Sequence, residues 1–431
     1  MLDTATVAVA FAILLILLLL GMPIAVVMVV LGAVGGMLAF GPPLLNSLGS
    51  VVWGVQNENI LTAIPLFILL GELLLRSGIA DRMYHALSLW LGRLPGGLLH
   101  TNVGCCALFA ATSGSSVATA ATIGTVALPA LNQRGYPPHQ SLGTLAAGGT
   151  LGILIPPSVN LLVYGSLTNN SIGQLFMAGI IPGILLTLTF MAYLAVVNRN
   201  LDTLEAPVSL AEKLRALPDL IPPLLIFVVV MGSIYFGIAT PTESAAVGVV
   251  AALGFAGWFG SLSLAFLHRC FVQTARLTGM IIFIIAGAFI LNVTLSLLGV
   301  AQVMTEWIAS LGLSATGLLL ALIVFYLILG CFMDVLSMQV ATIPIAYPVV
   351  SYLGVDPIWF GVFIVLMCEI GLITPPVGMN LYVVQGVRKD GGSIREVMWG
   401  VVPYVLILLG FTLLLILLPE LVLWLPRTML G

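Results

Sequence analysis

Long runs without a single charge constrain this chain more than any other feature. Val7 to Leu20, Ile221 to Ile234, Met280 to Leu291 and Val401 to Leu418 carry none. A helix needs about 20 mostly apolar residues to cross a bilayer, and segments of that size recur along the chain. Only helices and closed barrels satisfy their backbone groups in lipid. Barrel strands alternate apolar and polar residues over about ten positions, whereas these runs are apolar on every face. Composition agrees: 61% of the 431 residues are hydrophobic and 7% are charged, against about 25% charged in soluble domains. The expected fold class is therefore an all-α polytopic membrane protein. No basic or aromatic patch points to nucleic acid as a partner; membrane lipid is the expected surround. Cys105, Cys106, Cys270, Cys331 and Cys368 are scattered in or beside apolar segments, without zinc or disulfide spacing. The N-terminal M-L-D-T lacks a basic n-region, so Val7 to Leu20 reads as a first span rather than a cleavable signal.

The chain also repeats itself. Residues 152–160 read G-I-L-I-P-P-S-V-N and residues 371–380 read G-L-I-T-P-P-V-G-M-N, about 220 positions apart. At nearly the same offset, Pro23 and Pro241 open apolar helices that close at Phe40-Gly41 and Phe259-Gly260. S-G-I-A-D-R-M ending at Met83 faces L-G-V-A-Q-V-M ending at Met304, and Ser113–Ser116 faces Met333–Ser337. Duplication gives a first repeat at 1–205, a cytoplasmic linker at 206–218 within the polar stretch Arg199 to Asp219, and a second repeat at 219–431. Spans are expected at 5–20, 23–40, 60–76, 139–168 and 174–198, then at 220–237, 241–259, 277–297, 357–387 and 397–425. Segments 97–133 and 315–352 are broken by polar tips and read as re-entrant hairpins. Segments 79–93 and 299–313 read as interfacial arm helices. Five crossings in the first copy invert the second, so about ten crossing helices make two inverted-topology repeats. On that model Arg76, Arg82, Arg93, Arg134, Arg199, Lys213, Arg215, Arg269, Arg276, Arg388, Lys389 and Arg395 share one side, and Arg427 alone takes the other. The positive-inside rule then makes the basic side cytoplasmic and puts both termini in the periplasm.

The two Pro-Pro motifs carry the most chemistry. Proline lacks an N–H and clashes with the carbonyl four residues back, so each pair opens its helix. Broken helices at membrane depth are tolerated where they line a cavity or bury in protein. A pair of them at matching places in two halves points to a transporter's binding site. The hairpin tips add Ser113, Gly114, Ser115 and Ser116 on one side, Asp334 and Ser337 on the other. Asn160 and Asn380 follow the breaks. Hydroxyls, amide oxygens and freed carbonyls make a cage for a hard cation such as Na⁺, while helix N-termini suit an anion. Ser115, Ser116, Asn160, Asp334, Ser337 and Asn380 are thus the candidate substrate-binding residues.

Among the other carboxylates, Glu369 lies just before the second motif, where it is placed to order the break. Glu243, in T-P-T-E-S, reads as a helix-capping residue. Glu72 and Arg76 read as a structural i, i+4 pair at a cytoplasmic helix end. No Walker A motif, H-E-x-x-H, T-V-G-Y-G filter or arginine-rich voltage-sensor helix occurs. The chain is expected to be no enzyme, and an ion gradient is its expected drive.

The run from Ser113 to Ala130, the G-x-L-I-P-P-S motif, the G-L-I-T-P-P-V-G-M-N-L motif and the linker position resemble the large membrane subunit (M, DctM- or SiaM-like) of TRAP transporters, in the ion-transporter superfamily. The resemblance spans essentially the whole chain. It implies an elevator mechanism in the bacterial inner membrane, with two or more coupling Na⁺. It further implies import of a carboxylate- or sulfonate-bearing organic acid delivered by a periplasmic binding protein, with a small four-helix membrane subunit on a separate chain. The family's Na⁺ sites would fall on the first tip and break (Ser113, Gly114, Ser115, Gly152, Pro156, Asn160) and on the second (Met333, Asp334, Ser337, Thr374, Pro375, Gly378, Met379, Asn380). Competing readings are a stand-alone divalent-anion/Na⁺ symporter, a passive pore, and an intramembrane enzyme with a hairpin serine nucleophile.

Overall fold

The computed structural model describes residues 4–199 and 208–429, and all regular structure among them is helical. The first half runs α1 (Thr4–Leu19), α2 (Ile24–Phe40), α3 (Pro43–Gln56), α4 (Ala63–Arg76), α5 (Ile79–Leu91), α6 (Leu98–Ser113), α7 (Ser116–Gln133), α8 (Pro138–Leu154), α9 (Val159–Thr168), α10 (Ile172–Val197) and α11 (Leu210–Ala216). The second runs α12 (Ile221–Tyr235), α13 (Pro241–Trp258), α14 (Leu264–Leu297), α15 (Val300–Ser310), α16 (Ala315–Gly330), α17 (Val335–Tyr352), α18 (Pro357–Ile373), α19 (Met379–Val387), α20 (Ile394–Leu417) and α21 (Glu420–Arg427). Among the described residues, 6 helices are long and apolar enough to cross a membrane, or up to 8 if each of two bent pairs counts as one span. Those pairs are α4 with α5, bent by 68°, and α15 with α16, bent by 112°.

The order α5 to α10 recurs as α15 to α20. Gly78 and Gly299, both left-handed (φ 80° and 70°), precede α5 and α15. Pro138 and Pro357 open α8 and α18, where a missing N–H costs a helix nothing. Both helices stop at a Pro-Pro pair, Pro156-Pro157 and Pro375-Pro376, each joined by a cis peptide, and each chain resumes as a short helix, α9 or α19.

Four expectations need correction. The span expected at 277–297 begins at Leu264 and runs unbroken for 34 residues, because L-A-F-L-H-R-C-F-V-Q-T-A-R has no helix breaker. The corresponding stretch of the first half is split into α3 and α4 around Asn57 and Glu58, and α3 is additional to the expected spans. The linker is half helical: Ser209 and Glu212 form a reciprocal capping box that starts α11. Its residues 206 and 207, and the repeat boundary at 205, lie outside the described residues. The segment expected at 397–425 divides into α20 and α21 at Leu418-Pro419. Glu243 does form the expected capping box, with Thr240.

Every residue of α8 from Ser141 to Leu154 and of α18 from Ile358 to Ile373 is buried, so these two helices form the molecule's centre. Helices in lipid gain little from apolar burial against one another and associate through close backbone approach at small residues. α8 meets α20 in this way: a Cβ on Gly143 would stand 2.3 Å from the Gly400 carbonyl oxygen. α16 meets α18 at Gly330 and Gly371, where a Cβ on Gly330 would lie 2.6 Å from the Gly371 Cα. A separate pair, α2 and α14, closes through Gly32 on Leu291 and Gly287 on Ala25, and Thr294 Oγ1 donates to the Gly32 carbonyl at 2.8 Å.

The arm helix α5 is tied to the segment between α10 and α12 and to the end of α13. Arg82 lies 3.6 Å from the Asp219 carboxylate and 4.5 Å over the Phe259 ring. Trp90 Nε1 donates to the Lys213 carbonyl at 3.3 Å. At the other end of α10 and α12, Gly173 and Ile234 lie against each other with Met429 beside them.

Candidate functional site

The two hairpin tips lie directly against the two breaks. Gly114, left-handed at φ 61°, ends α6, and a Cβ there would come 2.5 Å from the Pro157 carbonyl oxygen. A Cβ on Gly152 would come 2.7 Å from the Ser115 carbonyl, so only glycine lets tip and helix touch. Ser116 Oγ donates to the Thr150 carbonyl at 3.1 Å. In the second half Cys331 Sγ reaches the Pro375 carbonyl at 3.2 Å. The halves are also cross-linked, since Asn380 Nδ2 donates to the Ala146 carbonyl at 3.2 Å.

Between the tips lies a cavity of about 520 Å³. Its lining includes Ser116, Val117 and Ala118 at the start of α7, Val159 and Asn160 at the start of α9, Val335 and Leu336 at the start of α17, and Met379 at the start of α19. Four helix N-termini, two from each half, therefore open on one space. Each carries roughly half a positive charge from its unpaired N–H groups. Three are capped by their own side chains: Ser115 accepts from Ala118 N, Ser158 from Leu161 N, and Asp334 from Ser337 N at 3.4, 3.3 and 3.2 Å. The fourth, α19, starts after Gly378 (φ 36°) and has no side-chain cap.

Of the residues expected at the site, Ser113, Gly114, Ser115, Ser116, Asn160, Asp334 and Met379 line the cavity. Gly152, Pro156, Met333, Ser337, Thr374, Pro375, Gly378 and Asn380 do not. They lie behind it, in the tips and breaks. Ser337 Oγ donates to Asp334 Oδ1, so the aspartate is held from two directions. Thr374 Oγ1 donates to its own helix, at the Ile370 carbonyl, at 2.6 Å. Asn380 Oδ1 is buried with no hydrogen-bond partner among the described residues, an oxygen suited to a cation. Glu369 is fully buried one turn before the second break. Neither of its carboxylate oxygens has a partner among the described residues, and it does not line the cavity.

Sequence reasoning missed the wall that α4 and α14 give the cavity. Gly71, Glu72 and Arg76 of α4 and Gln273 of α14 line the same cavity. Arg76 Nε donates to Glu72 Oε2 at 2.9 Å, the expected pair, but it stands in the cavity wall rather than at an unremarked helix end. The signal was present: charges inside the apolar stretch A-I-P-L-F-I-L-L-G-E-L-L-L-R are functional candidates by default.

Comparison with known proteins agrees with this architecture. Residues 11–421 match the family model described as the tripartite ATP-independent periplasmic transporter, DctM component. The chain belongs to the DctM family. Among its DctM relatives, the C4-dicarboxylate TRAP transporter large permease protein DctM of Pseudomonas aeruginosa is 37% identical over 91% of this chain and 92% of that protein. The sialic acid TRAP transporter large permease protein SiaM of Vibrio cholerae is 32% identical, covering 88% of each. The isethionate TRAP transporter permease protein DctMQ of Oleidesulfovibrio alaskensis is 34% identical over 91% of this chain but only 62% of its own length. The crystal structure of the YdaH transporter of Alcanivorax borkumensis shares the fold, with a TM-score of 0.65 at 16% identity over 92% of this chain and 98% of that one. This DctM-family chain is thus a TRAP transporter large permease, and its relatives are permeases rather than enzymes.

Proposed function

We propose that this permease imports a small organic acid bearing a carboxylate or sulfonate, coupled to Na⁺, as one part of a three-component transporter. The observation that carries the reading is the convergence of four half-helix N-termini, two from each half, on one cavity. Such ends attract anions. The relatives' named substrates, C4-dicarboxylates, isethionate and sialic acid, all carry such a group. An anion beside the Asp334 carboxylate requires positive charge nearby, and Na⁺ held at the tips and breaks supplies it. Asp334, the serine hydroxyls, Asn160, Asn380 Oδ1 and the carbonyls freed at Pro156 and Pro375 are the oxygens for that role. Each charge moved through 100 mV contributes about 2.3 kcal/mol.

The two halves are read as inverted repeats, with about ten crossings and two re-entrant hairpins. The basic side is cytoplasmic and both termini are periplasmic in a bacterial inner membrane. On this reading Arg76 and Gln273, which line the cavity, stand toward the cytoplasmic side of the wall. Alternating access follows from movement of the tips and breaks, as one body, past α4 and α14. A small membrane subunit and a periplasmic binding protein complete the assembly.

The test is uptake into proteoliposomes holding the chain with a small subunit and binding protein from the same genome. Saturable uptake that collapses without an inward Na⁺ gradient is expected. Uptake indifferent to Na⁺ overturns coupling. Uptake without any binding protein favours the stand-alone symporter.

A further inference from the structure

We propose that Arg76 is an anchor for the anionic group of the substrate, held ready by Glu72. The assignment rests on reading this cavity as the anion site. Three residues lining the cavity are charged, Glu72, Arg76 and Asp334, and Arg76 alone is positive. Its Nε is committed to Glu72 Oε2 at 2.9 Å. Its terminal nitrogens, Nη1 and Nη2, donate to no other group among the described residues. That leaves the end-on fork of the guanidinium, whose paired N–H groups match two oxygens of a carboxylate or sulfonate.

A helix staple alone does not account for this placement. Glu72 four residues before Arg76 is the favourable order for an i, i+4 pair, but such a pair is equally good facing water. Here the Glu72 side chain is only 10% exposed and the Arg76 side chain 34%, and the other α4 residues lining the cavity, Ile68, Gly71 and Leu75, carry no charge. A lone guanidinium would rotate among many positions. Tethering its Nε fixes the plane of the fork and removes the ordering cost from substrate binding. Asp334 lines the same cavity, so an acid held there meets Na⁺ and helix N-termini at the tips and Arg76 on the α4 wall.

The anchor stands on α4, which packs on α13 and α14 and also meets α6 of the first hairpin. A substrate group that leaves the tips has a fixed positive group to pass to on the wall.

The test is ligand binding to the full chain in lipid nanodiscs at one fixed sodium concentration. Chloride is replaced stepwise by succinate or isethionate, with succinamide as the uncharged control, and the unfolding midpoint is followed. Wild type is expected to be stabilised by at least one of the acids and not by succinamide. Arg76→Ala is expected to bind the acid about 10- to 100-fold more weakly, with partial recovery in Arg76→Lys, while stabilisation by sodium chloride over choline chloride stays at the wild-type level. Equal acid binding by wild type and Arg76→Ala overturns the anchor and leaves the anion site standing. Equal loss of sodium and acid stabilisation in Arg76→Ala makes the pair a structural staple and also overturns it. Acid binding by neither protein removes the anion site itself, and the anchor with it.

Discussion

Gly71 of α4 faces the backbone of Ser113 at the end of α6 so closely that a Cβ on Gly71 would stand 2.9 Å from the Ser113 carbonyl oxygen. This is where the cavity wall touches the first hairpin tip. Backbone cannot rotate away as a flexible side chain does, so added volume must displace one body from the other. Overpacking of this kind costs typically about 1–3 kcal/mol. Gly71→Val is therefore expected to lower the unfolding midpoint and abolish uptake, with Gly71→Ala intermediate in both. Wild-type uptake by Gly71→Val would show that the wall and tip part freely.

Asp334 combines a charge with a helix cap, and two substitutions separate them. Asn caps helices about as well as Asp, whereas Ala costs about 1 kcal/mol. Asp334→Asn is expected to keep wild-type stability while raising the sodium concentration needed for half-maximal uptake. Asp334→Ala should lose both. If Asp334→Asn leaves the sodium dependence of uptake unchanged, the residue is a cap and nothing more.

The first break is held by Ser158. Its Oγ donates to the Ile153 carbonyl at 2.5 Å and accepts from Leu161 N at 3.3 Å, bridging the gap between α8 and α9. Ser158→Ala strands a buried carbonyl and an N–H, a loss of about 1–3 kcal/mol. A lower unfolding midpoint is the expected readout. The corresponding place in the second break is Gly378, left-handed at φ 36° and uncapped, so Gly378→Ala is expected to destabilise through strain instead.

Outside the spans, between α19 and α20, Arg388 bonds both Asp390 and Glu396. The Arg388 guanidinium holds the Asp390 carboxyl below its usual range, helped by the Gly392 N–H. A depressed folded pKa means stability that is present above the unfolded value, about 3.9, and lost as pH falls through the folded one. The Asp390 side chain is 37% exposed, so solvent screening limits the effect to about 1 kcal/mol or less. Asp390→Asn is expected to lower the unfolding midpoint near pH 7. The gap from wild type should close once the pH is below the folded pKa. A gap that is the same at both ends of the range would assign the effect to packing.

The breaks, tips and arms are legible in the sequence because proline pairs, run length and polar interruptions are local signals. Pro156-Pro157 and Pro375-Pro376 announce the ends of α8 and α18 whatever surrounds them. The start of α14 is not legible, since Arg269, Gln273 and Arg276 make a helix look like a loop when hydropathy is the guide. α11 hides for a related reason: the S-x-x-E signature of Ser209 and Glu212 sits inside a polar stretch that reads as linker. The spacing of Glu72 and Arg76 satisfies a local explanation and so conceals a wider one. That α4 turns this face to the tips is decided by packing at Gly71 and Gly248, where sequence offers only two unremarkable glycines.

Gly143 meets Gly400, and Gly330 meets Gly371, with no side chain between the main chains. Each meeting joins helices that also pack on α8 or α18, so main chain rests on main chain through the buried centre. Helices seated in this way cannot creep past one another by repacking side chains one at a time. On the proposed alternating-access reading they shift together, and whatever sits among the tips travels with them. Bending would then fall where the chain is already turned and thinly clothed, at the left-handed corners Gly78 and Gly299 that join α4 to α5 and α14 to α15. On that reading the two arms would be the molecule's hinges, and the glycine crossings would give them something rigid to swing.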